Sequence, residues 1–298
     1  MQSFTLALIL SCCALHAAVV WQDPAALARE DKGAPAPPFR FDREETGGTS
    51  PKVVVKDARG VTWYVKFGFE AKPETLASRI VRSAGYFAPI AYFVPKGQIQ
   101  SIPAGNLKRA DKAIDEASGR FTEARFSREV DFVKDASWTL DESSIKGSRE
   151  LSGLKLLIML TSNWDIKDPN FAVVRQAGQP MFAITDWGQT FGAPDMKTHW
   201  NCRQYSDITR SWLDGVEDGH IYMRFGGKMS NVVTNGIRVE HARWLLSRIS
   251  GLTEPRLKKL LRSAGATPEE SACFSTAITQ RITSLRLTVP AAAASAQR

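Results

Sequence analysis

The segment Asn163-Trp164-Asp165-Ile166-Lys167-Asp168-Pro169-Asn170-Phe171, followed by Asp186-Trp187-Gly188, holds side chains whose types and spacing could do chemistry. Asp165, then Lys167, then Asn170, then a second aspartate before tryptophan and glycine are groups that phosphoryl transfer uses. That reaction asks little covalent chemistry of a protein. It needs one carboxylate to orient an attacking hydroxyl, an Asn/Asp pair to hold magnesium on the phosphates, and a cation to offset charge on the moving group. Asp165 suits the first role, Asn170 and Asp186 the second, and Lys167 the third. Without that chemistry, the Asp, Asn and Pro residues are turn formers joining a helix to a strand, and Asp186 is a hairpin-end cap. The placing of Lys167, and an apolar strand starting at Phe171 directly after Asn170, favour the chemical reading.

These groups need elements to hold them. Arg149 to Leu160 reads as an amphipathic helix that delivers the chain into the Asp165 loop. Phe171-Ala172-Val173-Val174 and Met181-Phe182-Ala183-Ile184 read as a hairpin with Asp186 at its exit. Upstream, Lys52-Val53-Val54-Val55-Lys56 and Val61-Thr62-Trp63-Tyr64-Val65-Lys66-Phe67 are β-branched and aromatic runs joined by a turn at Asp57-Ala58-Arg59-Gly60. Pro73-Glu74 opens a helix that Gly85 stops, with Leu76, Ile80, Val81 and Ala84 on one face. Phe87 to Val94 returns to strand character. Lys66 thus ends a strand just ahead of a helix carrying Glu74. Alone it would be a solvent-facing edge residue. Its value lies in the order Lys66, Glu74, Asp165, Asn170, Asp186, with Glu70 as the second choice of acidic partner.

From about residue 98 the pattern predicts mainly helix. Phe191 to Asn235, rich in glycine, aromatics and polar residues, is expected to be irregular. Val239–Ile249, Glu254–Ser263 and Pro268–Leu285 are expected to be closing helices.

The Asp-Ile-Lys-Asp-Pro-Asn-Phe run resembles the protein-kinase catalytic loop, and Asp186-Trp187-Gly188 resembles its Asp-Phe-Gly element. Gly48-Thr49-Ser50-Pro51-Lys52, ahead of the strand pair, and Asn163-Trp164-Asp165 are similar to HipA-type bacterial kinases. Type II phosphatidylinositol kinases share this atypical layout. The resemblance covers roughly residues 40 to 285. It implies an α+β, two-lobed fold: a small antiparallel β-rich N-lobe with one helix over residues 40–97, and a mainly helical C-lobe over 98–287. It further implies ATP and Mg2+ in the cleft. Asp165 and Lys167 would be catalytic, Asn170 and Asp186 would bind metal, Lys66 would meet the phosphates and Glu74 would position Lys66. No Gly-x-Gly-x-x-Gly loop occurs, which leaves Gly48, Thr49 and Ser50 as the phosphate cradle. No Ala-Pro-Glu element follows Asp186. The absence of GxxxxGK[ST] speaks against a P-loop ATPase.

The expected activity is transfer of the γ-phosphate of ATP to a hydroxyl acceptor on a protein, lipid or small molecule. The alternative is a catalytically silent kinase-fold binding protein of the cell envelope, with Trp200, Trp212 and Tyr222 as its contact surface. The 298 residues carry a net charge of +8, suited to anionic partners. No arginine-rich arm or DNA-reading motif points to nucleic acid; Arg256, Lys258, Lys259 and Arg262 read as one solvated helix face. Peripheral contact with a membrane surface is compatible with the charge. Phe4 to Val20 is nearly all apolar and ends in small residues, as in an export signal cleaved near Ala17 or Ala18. A lipid-modified Cys12 is the lesser option. A Pro/Ala-rich linker is expected over 19–39 and a structureless tail over 288–298. Cys202 and Cys273 are open to either a disulfide or two separate thiols. His199, Cys202 and His220 lack the spacing of a structural zinc site.

Overall fold

A computed structural model describes residues 18–48, 50–105, 107–192 and 200–289. Thr49, His199, Cys12, Ala17 and the tail from residue 290 onward lie outside the described residues. The first half of the chain is a six-stranded sheet with order β3-β2-β1-β4-β6-β5. Its strands are β1 Phe39–Glu45, β2 Lys52–Lys56, β3 Thr62–Phe67, β4 Ala91–Gln100, β5 Ile114–Asp115 and β6 Arg120–Arg128. A further pairing of β3 with β6 curls the sheet back on itself. Alternation decides what fills it. Val53, Val55, Trp63, Val65, Phe67, Phe121, Ala124 and Phe126 point inward and form one apolar cluster, so Lys66 and Arg125 must point to the other face.

That outer face is covered by α2, Ala71–Ser83. The helix starts earlier than Pro73 suggests, because proline is tolerated anywhere in a first turn whose N–H groups lack helical partners. Leu76, Ala77, Ile80 and Val81 do not join the sheet's cluster. They pack into the larger core of the second half, while the polar edge of α2 faces β3.

The second half holds α3 Arg149–Thr161, the hairpin β7 Phe171–Gln176 with β8 Gln179–Ile184, and α4 Cys202–Thr209. A second hairpin follows, β9 Leu213–Glu217 with β10 His220–Met223, then α5 Ser230–Val233, α6 Val239–Arg248, α7 Glu254–Ser263 and α8 Pro268–Thr288. Thr267 and Glu270 form a capping box at the start of α8. Cys202 and Cys273 are joined in a disulfide that ties α4 to α8.

Three expectations are corrected. The Pro/Ala-rich stretch contains a helix, α1 Pro24–Arg29, with Asp23 capping its N-terminus and Leu27 buried. Pro24 sits at the first helical position, where its fixed φ helps, and Ala25-Ala26-Leu27-Ala28 are good helix formers. The strand-bearing half does not end at residue 97: β4 runs to Gln100, and β6, at Arg120–Arg128, is the strand that closes the sheet. The segment from Phe191 to Asn235 is not wholly irregular, since α4, β9, β10 and α5 occupy much of it. Trp212 there is buried; of the expected contact aromatics only Tyr222 is strongly exposed.

Candidate active site

Register brings three cations into a row on the outer face of the sheet. Lys52 on β2 lies opposite Lys66 on β3, and Lys66 lies opposite Arg125 on β6. Like charges this close repel unless acids intervene. α2 and its approach supply them. Lys66 Nζ lies 2.8 Å from Glu70 Oε2 and 2.9 Å from Glu74 Oε2. Glu74 uses its other oxygen for Arg125, at 3.2 Å. Asp186 Oδ1 stands 3.8 Å from Lys66 Nζ. Burial opposes the charge on Lys66, but Glu74 and Asp186 outweigh it and hold the ammonium protonated well above its ordinary range. Burial also works against the Asp186 carboxylate. Lys66, the Gly188 N–H and Arg125 overcome it and bring the carboxyl below its usual value. Lys52 is pushed down by burial and by the neighbouring charges of Lys66 and Arg125.

Gly188 has a steric reason to follow Trp187. A Cβ there would sit 2.9 Å from the Glu70 carboxylate and 3.2 Å from Asp186 Oδ1. Trp187 is fully buried and donates to Ile184 O, which fixes the turn that presents Asp186.

The Asp165 loop is held from several sides. α3 ends at Ser162 in the left-handed conformation, and Arg281 of α8 donates to Met159 O, Leu160 O and Ser162 Oγ at that end. A cation capping the carbonyl end of a helix is favourable, and here it also fixes where the loop begins. Asn163 Nδ2 donates to Asp186 O at 3.2 Å, tying the loop to the Asp186 turn. Asn170 Nδ2 donates to Asp165 O at 2.9 Å. The amide oxygen of Asn170 carries no hydrogen bond among the described residues. Both oxygens of Asp165 are engaged, one by Lys167 and one by Lys228. Lys228 comes from the turn after β10, where Phe225 stacks on Trp164 at 5.1 Å and the Lys228 N–H donates to Trp164 O.

The loop between β1 and β2 is anchored from outside. Arg109 donates to Thr46 O and Gly48 O, both at 2.6 Å. Ser50 is buried and its hydroxyl donates to Glu70 Oε2 at 3.0 Å. Gly48 has φ +71, and a Cβ there would come 3.3 Å from Lys52 Nζ, so the backbone passes close to the cation row.

No family model matches the chain, and no curated protein matches its sequence. Among solved structures it is similar to the proinflammatory kinase CtkA of Helicobacter pylori, at 10% identity and TM-score 0.47, over 86% of this chain and 95% of that one. The Golgi casein kinase is similar at 10% identity and TM-score 0.40, over 88% of this chain and 74% of that one. The Rio2 kinase of Chaetomium thermophilum is similar at 11% identity and TM-score 0.31, over 88% and 75%. All three are kinases. At such identity and TM-score the likeness assigns neither substrate nor activity to this chain.

The acidic cluster is gathered around the Lys66 ammonium, and its carboxylate oxygens are also of the type a hard divalent cation takes. One oxygen each from Glu70, Glu74 and Asp186 lie within 4.8 Å of one another, and magnesium takes oxygen ligands, typically carboxylates together with substrate phosphates. The structure therefore gathers Lys66, Glu74 and Asp186 into one cluster and puts Asp165, Lys167 and Asn170 in the loop bonded to it. Glu70 joins Glu74 on Lys66 rather than replacing it. Sequence reasoning passed over Arg125, Lys228 and Arg281. Arg125 had a visible signal, a charged residue between Ala124 and Phe126 in an alternating run. Lys228 and Arg281 had none, since both act across long sequence distances.

Proposed function

We propose that the chain is a kinase-type phosphotransferase that moves the γ-phosphate of ATP to a hydroxyl acceptor. The observation that carries this reading is the buried Lys66, fixed between Glu74 and Asp186 with the Asp165 loop hydrogen-bonded behind it. A permanent cation with no apolar purpose, held beside an acidic cluster, is an arrangement suited to nucleotide phosphates. The row of Lys52, Lys66 and Arg125, with the backbone around Gly48, would meet the phosphate oxygens. Asp165 would orient the acceptor hydroxyl and accept its proton as the hydroxyl oxygen attacks the γ-phosphorus. The bond from that phosphorus to the β,γ-bridging oxygen breaks, and ADP leaves with the bonding electrons. Lys167 would offset charge on the transferring group. Asp186 and the amide oxygen of Asn170 would hold Mg2+, with Glu70 and Glu74 adjacent; the ion would supply neutralisation of phosphate charge. The subfamily proposed is the HipA-type or type II phosphatidylinositol-kinase-like layout.

A second reading, a catalytically silent binding protein of the envelope, is favoured by the two lysines closed on Asp165. Either way the chain is proposed to be exported, to a periplasm or beyond, with its signal cleaved near Ala17 or Ala18. The Cys202–Cys273 disulfide supports an oxidising compartment.

Thermal unfolding with and without Mg·ATP, on wild type and Asp186→Asn, separates the readings. A site that binds nucleotide at one hundredth of its working concentration gains about 3 kcal/mol by mass action. We expect a magnesium-dependent shift in wild type that the variant lacks, and transfer of labelled γ-phosphate in wild type only. No shift at millimolar nucleotide sinks the kinase reading; a shift without transfer to any acceptor, or to the chain itself, favours the silent one.

A further inference from the structure

A second basic site lies behind α2, away from the cation row. A cavity of about 430 Å³ opens between α1, α2, the start of β4 and α7, and its lining includes Asp31, Arg79, Arg82, Ile90 and Arg256. Arg82 is spent on carbonyls, donating to Ala88 O at 3.0 Å and Leu27 O at 2.6 Å. Arg79 is not. Its Nε is fully buried with no acceptor, no hydrogen bond from its guanidinium exists among the described residues, and its Cζ lies 5.2 Å from the centre of the Tyr92 ring. Arg256, exposed on α7, likewise has no carboxylate bonded to it among the described residues. The single acid on the lining, Asp31, accepts from the Tyr92 hydroxyl and the Gly33 N–H at one oxygen, Oδ1, and its charge acts on both Arg79 and Arg82.

A buried donor without an acceptor costs free energy that a matched ligand recovers. Three guanidinium groups against one carboxylate leave the cavity with an excess of positive charge. Planar guanidinium forks fit tetrahedral oxyanions well, and better than they fit water. We infer that this cavity is a binding site for a phosphate dianion, either inorganic phosphate or the head of a small phosphate monoester, with Arg79 and Arg256 as its principal ligands. The volume admits such a ligand with room to spare. Burial lowers the affinity of the Arg79 and Arg82 guanidinium groups for their protons, and an anion would reverse that trend. Because Arg79 and Glu74 share α2, an occupied cavity would brace the helix that positions Lys66; the binding claim itself does not depend on the kinase reading.

The test is titration of the full chain with inorganic phosphate and, separately, glycerol 3-phosphate. Binding is followed by calorimetry and by the Nε–H resonance of Arg79, assigned with Arg79→Lys. The expected result is movement of that resonance, with binding weakened about tenfold or more in both Arg79→Gln and Arg256→Gln, as for loss of a charged hydrogen bond. Arg256 is exposed, so its variant keeps the fold even where Arg79→Gln does not. Lys52→Met, on the cation row, should leave this event unchanged. Tighter binding of the ester identifies a monoester as the source, and equal binding identifies free phosphate. Absence of binding by both ligands, or a binding event lost in Lys52→Met and retained in Arg79→Gln and Arg256→Gln, overturns the site.

Discussion

At the scale of single residues, the candidate site is built from charges that would be costly anywhere else. Lys66, Glu70, Glu74 and Arg125 are all buried, and removing one member of a buried ionic set commonly costs about 3–5 kcal/mol by leaving a partner uncompensated. Such variants test stability as much as function. Lys228 is a better probe, because it is more than half exposed and its ion pair is with Asp165, outside that buried set. Under the phosphotransfer reading Asp165 needs a free oxygen for the acceptor hydroxyl, so Lys228→Met should raise transfer while nucleotide affinity stays within error; a fall in transfer would show that Lys228 supports the reaction and does not block Asp165. Asp57 is a second isolated case. Its buried carboxylate accepts from the Ala36, Arg59 and Val61 N–H groups and from Trp63 Nε1. Burial resists the charge, yet the Val61 N–H, Trp63 Nε1, the Arg59 guanidinium at 3.0 Å and the Ala36 N–H bring its pKa down to about 2. A folded-state value below the unfolded one adds stability at neutral pH that disappears as pH falls through the acid range. Between roughly pH 4 and pH 2, wild type should therefore lose stability faster than Asp57→Asn, read by chemical denaturation at fixed pH.

At the scale of elements, α2 has to satisfy both halves of the molecule: its apolar face packs with the helices and its acids meet β3. The segment before α1 straps this joint. Val19 pairs with the β7–β8 hairpin, Trp21 Nε1 donates to Ala84 O at 2.8 Å, and the Gln22 N–H donates to Gly85 O at 2.8 Å. Gly85 makes the crossing feasible. It has φ +93, and a Cβ there would lie 2.2 Å from Trp21 Nε1 and 2.4 Å from Gln22 O. Gly85→Ala combines a left-handed backbone with a clash against backbone, and should destabilise by on the order of 3 kcal/mol. In protein already lacking residues 18–22 the same substitution should cost clearly less, since only the left-handed backbone penalty remains; an undiminished cost would mean the strap is not where it arises.

At the scale of the whole molecule, the disulfide between Cys202 and Cys273 closes a loop with a sequence separation of 71. A closure of that length is worth about 4 kcal/mol in the chain-entropy account. Cys202→Ala with Cys273→Ala should thus lower the denaturation midpoint strongly, and the reduced wild type should match the double variant. Equal midpoints for oxidised and reduced protein would show that the cross-link contributes nothing in solution. The loop it encloses contains β9, β10 and the Lys228 turn, so the double variant also tests how far that turn relies on the cross-link to stay on Asp165.

What could be read from the chain alone was what local physics decides. Alternating β-branched runs around Asp57-Ala58-Arg59-Gly60 specify β2 and β3, the periodicity of Arg149–Leu160 specifies α3, and the Asp165 loop and Asp186 turn follow directly from their flanking elements. The ordered set from Lys66 to Asp186 was legible because each member sits at an element boundary that the pattern marks. Tertiary structure decided the rest. Whether Glu70 or Glu74 meets Lys66 depends on how α2 lies across the sheet, and the answer is both. Arg125 joins the site only because β6 pairs with β3, across a sequence distance that no window of residues can span. Lys228 and Arg281 reach Asp165 and the end of α3 from still farther along the chain. Such contacts follow from how cores pack and sheets close, so only the folded molecule shows them.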